Sequence, residues 1–103
     1  MMHNRSSYRF KRNIEPMGND SDRIYSLRPV TFNWNHDDDE NKQWGLIAEE
    51  VHDTMPELAL YDEYDLPFAV DYEQLPIVLL NEIQKLNKRV KHLERKVQEV
   101  KRL

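Results

Sequence analysis

Residues 75–103 read LPIVLLNEIQKLNKRVKHLERKVQEVKRL, and the spacing of their apolar side chains decides how the rest of the chain is read. Leu79, Ile83, Leu86, Val90, Leu93, Val97 and Val100 recur at alternating intervals of four and three. That is a heptad seam, with Leu79, Leu86, Leu93 and Val100 at d and Ile83, Val90 and Val97 at a. It runs for about three heptads, roughly 32 Å at 1.5 Å per residue. Charge fills the b, c, e, f and g positions around it. A stripe so narrow on a helix so long needs a partner. The partner is either the head of the same chain or, as continuation to the last residues favours, further copies of this helix. β-Branched a positions with leucine at d are the two-stranded pattern, although three heptads with a valine at the last d give that rule limited force.

Upstream, the signals are short and mixed. Asp71 followed by Gln74 resembles a capping box that opens the long helix, and Pro76 lies where a missing N–H costs least. Leu58–Tyr61 and Phe68–Asp71 flank a turn-rich loop and read as a hairpin. Ala48–Thr54 reads as a helical segment stopped before Pro56. Val30, Phe32 and Trp34 alternate with polar residues, a half-buried strand, and Gln43–Ile47 returns as a second one in which Gly45 permits close approach. Trp34 and Trp44 on these strands are expected in a core or an interface. Asp20 or Ser21 can cap a short helix through Leu27, ended by Pro29. A short strand is expected around Tyr8–Ile14. The fold class is α+β: a small mixed head over residues 6–74, then a coiled-coil helix over 75–103, with residues 1–5 as an upstream remnant.

Composition agrees with a shared core. Only 39% of the 103 residues are hydrophobic and 33% are charged, against about 25% charged in an average globular domain. No run approaches the roughly 20 apolar residues a membrane span requires, and no membrane partner is expected. The absence of cysteine excludes disulfides and thiolate metal sites. The net charge of −4 joins a head of −10 over residues 1–84 to a tail of +6 over 85–103. The acidic run Asp37–Glu40 lacks the glycine and spaced ligands of a calcium loop. His3, His36, His52 and His92 are scattered, so neither a metal nor another cofactor is expected. Basic residues encircle the helix instead of following one face, which points to a solvated exterior and away from nucleic acid.

The segment Ser6-Ser7-Tyr8-Arg9-Phe10-Lys11-Arg12-Asn13-Ile14 resembles a Ser-Asp-x-Arg-x-Lys-x-Asn-Ile motif. It opens the C-terminal intramolecular chaperone domains of phage tailspikes and tail fibres, which are self-cleaving Ser–Lys endopeptidases. Leu27-Arg28-Pro29-Val30-Thr31-Phe32-Asn33-Trp34 is similar to the family's L-x-P-V-x-F-x-W strand. Trp44-Gly45-Leu46-Ile47-Ala48-Glu49-Glu50-Val51 with Pro56-Glu57-Leu58 resembles its G-L-I-A-Q-E-V and P-E-L segments. Val70-Asp71-Tyr72, Leu75 and a terminal coiled coil resemble its ending. The pieces are individually weak but specific in this order and spacing.

The resemblance implies a homotrimer held by Leu79, Ile83, Leu86, Val90, Leu93, Val97 and Val100, against the dimer preference of the a and d positions. It implies a folding client, the tail fibre or tailspike polypeptide attached upstream, and work in the host cytoplasm during virion assembly, with the virion as a second location before release. It also implies hydrolase activity: Ser6 as nucleophile, Lys11 as its general base, and Arg5–Ser6 as the scissile bond, with Ser7, Arg9 and Asn13 as supporting motif positions. A serine hydroxyl is a poor nucleophile until a nearby base takes its proton. A lysine serves as that base only when burial or neighbouring cations favour its neutral form, and Arg9 and Arg12 are the cations at hand. If assembly supplies the burial, cleavage depends on the trimer. The family's aspartate after the serine is Ser7 here, which leaves a second reading open: a trimerisation or adaptor domain with a vestigial pair. The second Ser-Asp pair, Ser21-Asp22, has Ser26 where a lysine would be needed and is read as a helix cap. A nucleic-acid-binding coiled coil is the third reading.

Overall fold

The computed structural model describes residues 5–36, 38 and 40–103. His3 and the acidic residues Asp37 and Asp39 lie outside the described residues. The order is a 3₁₀ turn at Tyr8–Phe10, a longer 3₁₀ segment at Asp20–Ser26, β1 (Val30–Phe32), β2 (Gln43–Gly45), α1 (Ala48–Thr54), a third 3₁₀ turn at Pro56–Leu58, β3 (Ala59–Tyr61), β4 (Pro67–Val70) and α2 (Leu75–Lys101). This is the expected α+β mixture of a small head and a long final helix. Two antiparallel pairs, β1 with β2 and β3 with β4, stand as separate two-stranded sheets. The loop between β3 and β4 is tied by Asp62, whose Oδ1 accepts from the N–H groups of Tyr64 (2.8 Å) and Leu66 (3.0 Å), the local pairing that makes aspartate a turn residue.

The core is small because the elements are short. Val51, Met55, Leu58, Ala59, Val70 and Val78 are buried together, with Ile24, Leu27, Leu46, Ala48 and Leu75 packed around them. Most of α2 projects away from this cluster. The radius of gyration is 19.0 Å, where a compact chain of this length has about 13 Å. Only Val78 and Glu82 of the helix are buried. The heptad seam is therefore bare: from Leu79 to Val100 every a and d side chain is exposed. The head of the same chain reaches only its first few residues.

Three motif segments of the sequence meet in the head, and each contact has a physical reason. Arg28 pairs with Glu50 through Nε (3.1 Å) and Nη2 (2.6 Å), joining the chain before β1 to α1. Arg23 makes a bidentate pair with Glu57, which holds the 3₁₀ segment against the Pro56–Leu58 turn. The Tyr72 hydroxyl accepts from the N–H of Leu46 at 2.9 Å. A side chain at Gly45 would bring a Cβ to 2.9 Å from that same hydroxyl and 3.1 Å from the Phe32 ring. Gly45 is thus needed for close approach, as its place in a strand suggests.

Four details differ from the sequence-based expectations. The Tyr8–Ile14 stretch is a 3₁₀ turn followed by irregular chain instead of a strand, because its hydrogen bonds close locally. Residues 20–26 form a 3₁₀ segment, and Ser21 does not cap it: its Oγ donates to Glu82 Oε1 of α2 at 2.6 Å. Asp71 accepts from the N–H of Gln74 at 3.3 Å, but α2 begins only at Leu75 with no side-chain cap, so the box is half formed. Trp34 lies past the end of β1, and both tryptophans are exposed, Trp44 by 87%; neither belongs to a core within one chain.

A polar knot anchors α2 to the head. Ser21 is 0% exposed and Glu82 is 4% exposed. Lys85 Nζ donates to Glu82 at 2.7 Å and also pairs with Asp22. Asn81 Nδ2 donates to Ser21 Oγ (2.6 Å) and to the Gly18 carbonyl (2.9 Å). Hydrogen bonds from Lys85 and then Ser21 push the Glu82 carboxyl down from 4.5 to about 2, against its burial. A folded-state value below the unfolded one contributes stability above about pH 4.5 that is lost as pH falls toward 2. Thermal melts across that range are expected to show a steep acid limb. Glu82→Gln, less stable at neutral pH, is expected to flatten that limb; an unchanged limb would discount the knot.

Candidate active site

Ser6 and Lys11 come together through a single tight turn. Ser7 is extended (φ −65°, ψ 148°), and its carbonyl accepts from the N–H of Phe10 at 3.0 Å. The Tyr8 carbonyl accepts from the N–H of Lys11, also at 3.0 Å. One 3₁₀ turn between extended flanks brings back to the serine a side chain five residues away. Lys11 Nζ donates to Ser6 Oγ at 2.8 Å. Beneath the pair is a hollow of about 210 Å³ lined by Ser6, Tyr8, Lys11 and Ile14.

The other motif positions shape this turn. Arg9 stacks its guanidinium over the Phe10 ring, 4.6 Å from the centroid, and Arg5 approaches the same ring at 5.8 Å. Such contacts favour a cation over an aromatic face and hold the residue before Ser6 against the turn that follows it. Asn13 has φ 55°, in the left-handed region that asparagine enters more readily than most residues. The motif asparagine turns the chain sharply just after the lysine, a backbone role that sequence reading left unassigned. Ser7, at the position of the motif aspartate, makes no side-chain capping bond.

The pair is open to water. Residues 5–20 are exposed throughout, including Tyr8, Phe10, Ile14 and Met17. The segment meets α2 at its end, where Asn81 Nδ2 donates to the Gly18 carbonyl. Among the described residues no group of three or more potential metal-ligating side chains is present, and no helix is long and apolar enough to cross a membrane.

A family model described as chaperone of endosialidase, and classed with the peptidases, matches residues 6–60, more than half of the chain. The chain belongs to the endosialidase-chaperone family. The match begins at Ser6, so it takes in the Ser6–Lys11 turn, β1, β2, α1 and the Pro56–Leu58 turn. A search of curated proteins finds no match.

Proposed function

We propose that the chain is a self-processing intramolecular chaperone. It assembles as a trimer through α2, assists the folding of a tail fibre or tailspike-like polypeptide joined upstream of Ser6, and then cuts itself free. The observation that carries the proteolytic step is the 2.8 Å contact between Lys11 Nζ and Ser6 Oγ, in a chain of the endosialidase-chaperone family.

The chemistry follows from that contact. A neutral Lys11 takes the Ser6 hydroxyl proton as Oγ attacks the Arg5 carbonyl carbon, closing a five-membered ring with the residue's own amide nitrogen. The C–N bond to Ser6 breaks, and Lys11 returns the proton to the departing amine. An ester then links Arg5 to Ser6 Oγ, and water hydrolyses it to the Arg5 carboxylate and the free Ser6 hydroxyl. A general base within hydrogen-bond reach of a hydroxyl nucleophile is the arrangement such a step requires. Neutral lysine is favoured by burial. Because Lys11 is exposed in one copy, the cover is assigned to neighbouring copies, so cutting waits for assembly.

A fusion carrying a fibre segment before Met1 tests this directly. The expected product is a fragment whose first residue is Ser6, formed by the parent chain and absent from Ser6→Ala and Lys11→Ala. A fusion that trimerises but stays intact would leave the adaptor reading, with Ser7 in place of the motif aspartate as its reason.

A further inference from the structure

The head and α2 enclose an apolar groove of about 710 Å³ whose walls include Leu27, Val30, Trp44, Leu46, Leu75 and Leu79. It opens beside the bare seam. Its rim residue Trp44 is 87% exposed, far more than a large aromatic side chain on a strand normally remains.

The heptad register identifies what faces it. With Leu79 at d, Leu75 takes a g position and Leu80 takes e. In a parallel coiled coil the g residue of one helix meets the e residue, five places on, of its neighbour. Along α2 these couples are Leu75 with Leu80, Glu82 with Asn87, Arg89 with Glu94, and Lys96 with Lys101. Three are polar, and Arg89 with Glu94 is complementary in charge. The first is apolar on both sides, and its g member lines the groove. Its e member, Leu80, is 49% exposed, and Ile77 beside it on the same flank is also exposed. Two leucine-class side chains sit bare on the flank opposite the head, at the level where the head leaves a gap.

We infer that this groove receives Leu80 and Ile77 of the neighbouring copy's α2. Each head clasps the next helix around the ring. The contact is heterologous, one flank against the other, and in a parallel trimer it closes on itself without leaving an open end. The head then fixes helix register at the level of its own groove, where the a and d seam alone leaves the choice between two and three strands open. This inference rests on the trimeric reading above, and it adds a surface outside the seam.

Trp44 is a built-in reporter once Trp34→Phe removes the other indole. In that full-length background, sedimentation reports assembly, and emission wavelength with acrylamide quenching reports the groove. Assembled protein is expected to show blue-shifted, quench-protected Trp44 relative to a seam-broken variant carrying Val90→Lys and Leu93→Lys. Leu80→Lys in the seam-intact Trp34→Phe background, an exposed substitution outside the seam, is expected to leave the protein associated but restore quenching of Trp44. Associated protein whose Trp44 is as accessible as in the seam-broken variant overturns the clasp and leaves trimerisation intact. Persistent protection with Leu80→Lys overturns it equally. A parent chain that sediments as a monomer overturns both readings together.

Discussion

Val90→Lys with Leu93→Lys is expected to abolish association and, with it, release of an upstream fusion, while the head keeps its fold. Both side chains are more than half exposed, and both lie beyond Leu86, the last seam residue that lines the groove. They have little to lose within one chain. In a coiled coil they occupy successive a and d layers, where lysine must be buried without a partner or driven out. Sedimentation separates the association effect from folding, and circular dichroism reports the head. Cleavage of the fusion should vanish together with the oligomer, because the Ser6–Lys11 turn is open in a single copy and the proposed mechanism assigns its cover to neighbouring copies. Undiminished cutting by a monomer would sever the link between assembly and catalysis.

What could be read before the fold was known divides along a physical line. Period-two alternation from Val30 to Trp34 located β1, and the return over Gln43–Ile47 located β2, which ends at Gly45; such patterns depend on neighbours close in sequence. The heptad of α2 was equally plain. Its exposure was not, because periodicity says that one face wants cover and is silent on which chain supplies it. The same silence explains Trp44, placed on a strand correctly and found open to water. Ser21 shows the opposite failure. A serine beside an aspartate at a helix start looks like a cap, and its bond to Glu82, 61 residues away, leaves no local mark. The Ser6–Lys11 contact stands between these cases. The resemblance named both residues, while the 3₁₀ turn that joins them, and the left-handed Asn13 after it, belong to backbone geometry that a strand-like sequence reading misses.

Leu58→Ala is expected to remove most of the head's stability. Leu58 is 2% exposed and is among the largest fully buried side chains. It ends the Pro56–Leu58 turn, where proline starts the 3₁₀ geometry, Glu57 pairs with Arg23, and the leucine points into the cluster with Val51 and Met55. Its carbonyl accepts from the N–H of Asp71 at 2.8 Å, so the same residue ties the start of β3 to the chain entering α2. Truncating a buried leucine costs about 2–5 kcal/mol, more where neighbours cannot collapse into the space. Here α1, β3 and β4 pack on one another and the Pro56–Leu58 turn packs on α1, so collapse into the space must move several elements together. Domains of this length lose roughly 4–8 °C in Tm per kcal/mol, so a drop of at least about 8 °C is expected by calorimetry. The comparison belongs at fixed protein concentration, because an associating chain melts higher when concentrated. Exposed Leu60→Ala, two residues on in β3, is the matched control and should move Tm far less. Equal losses at the two positions would mean that the core lies elsewhere than around Leu58.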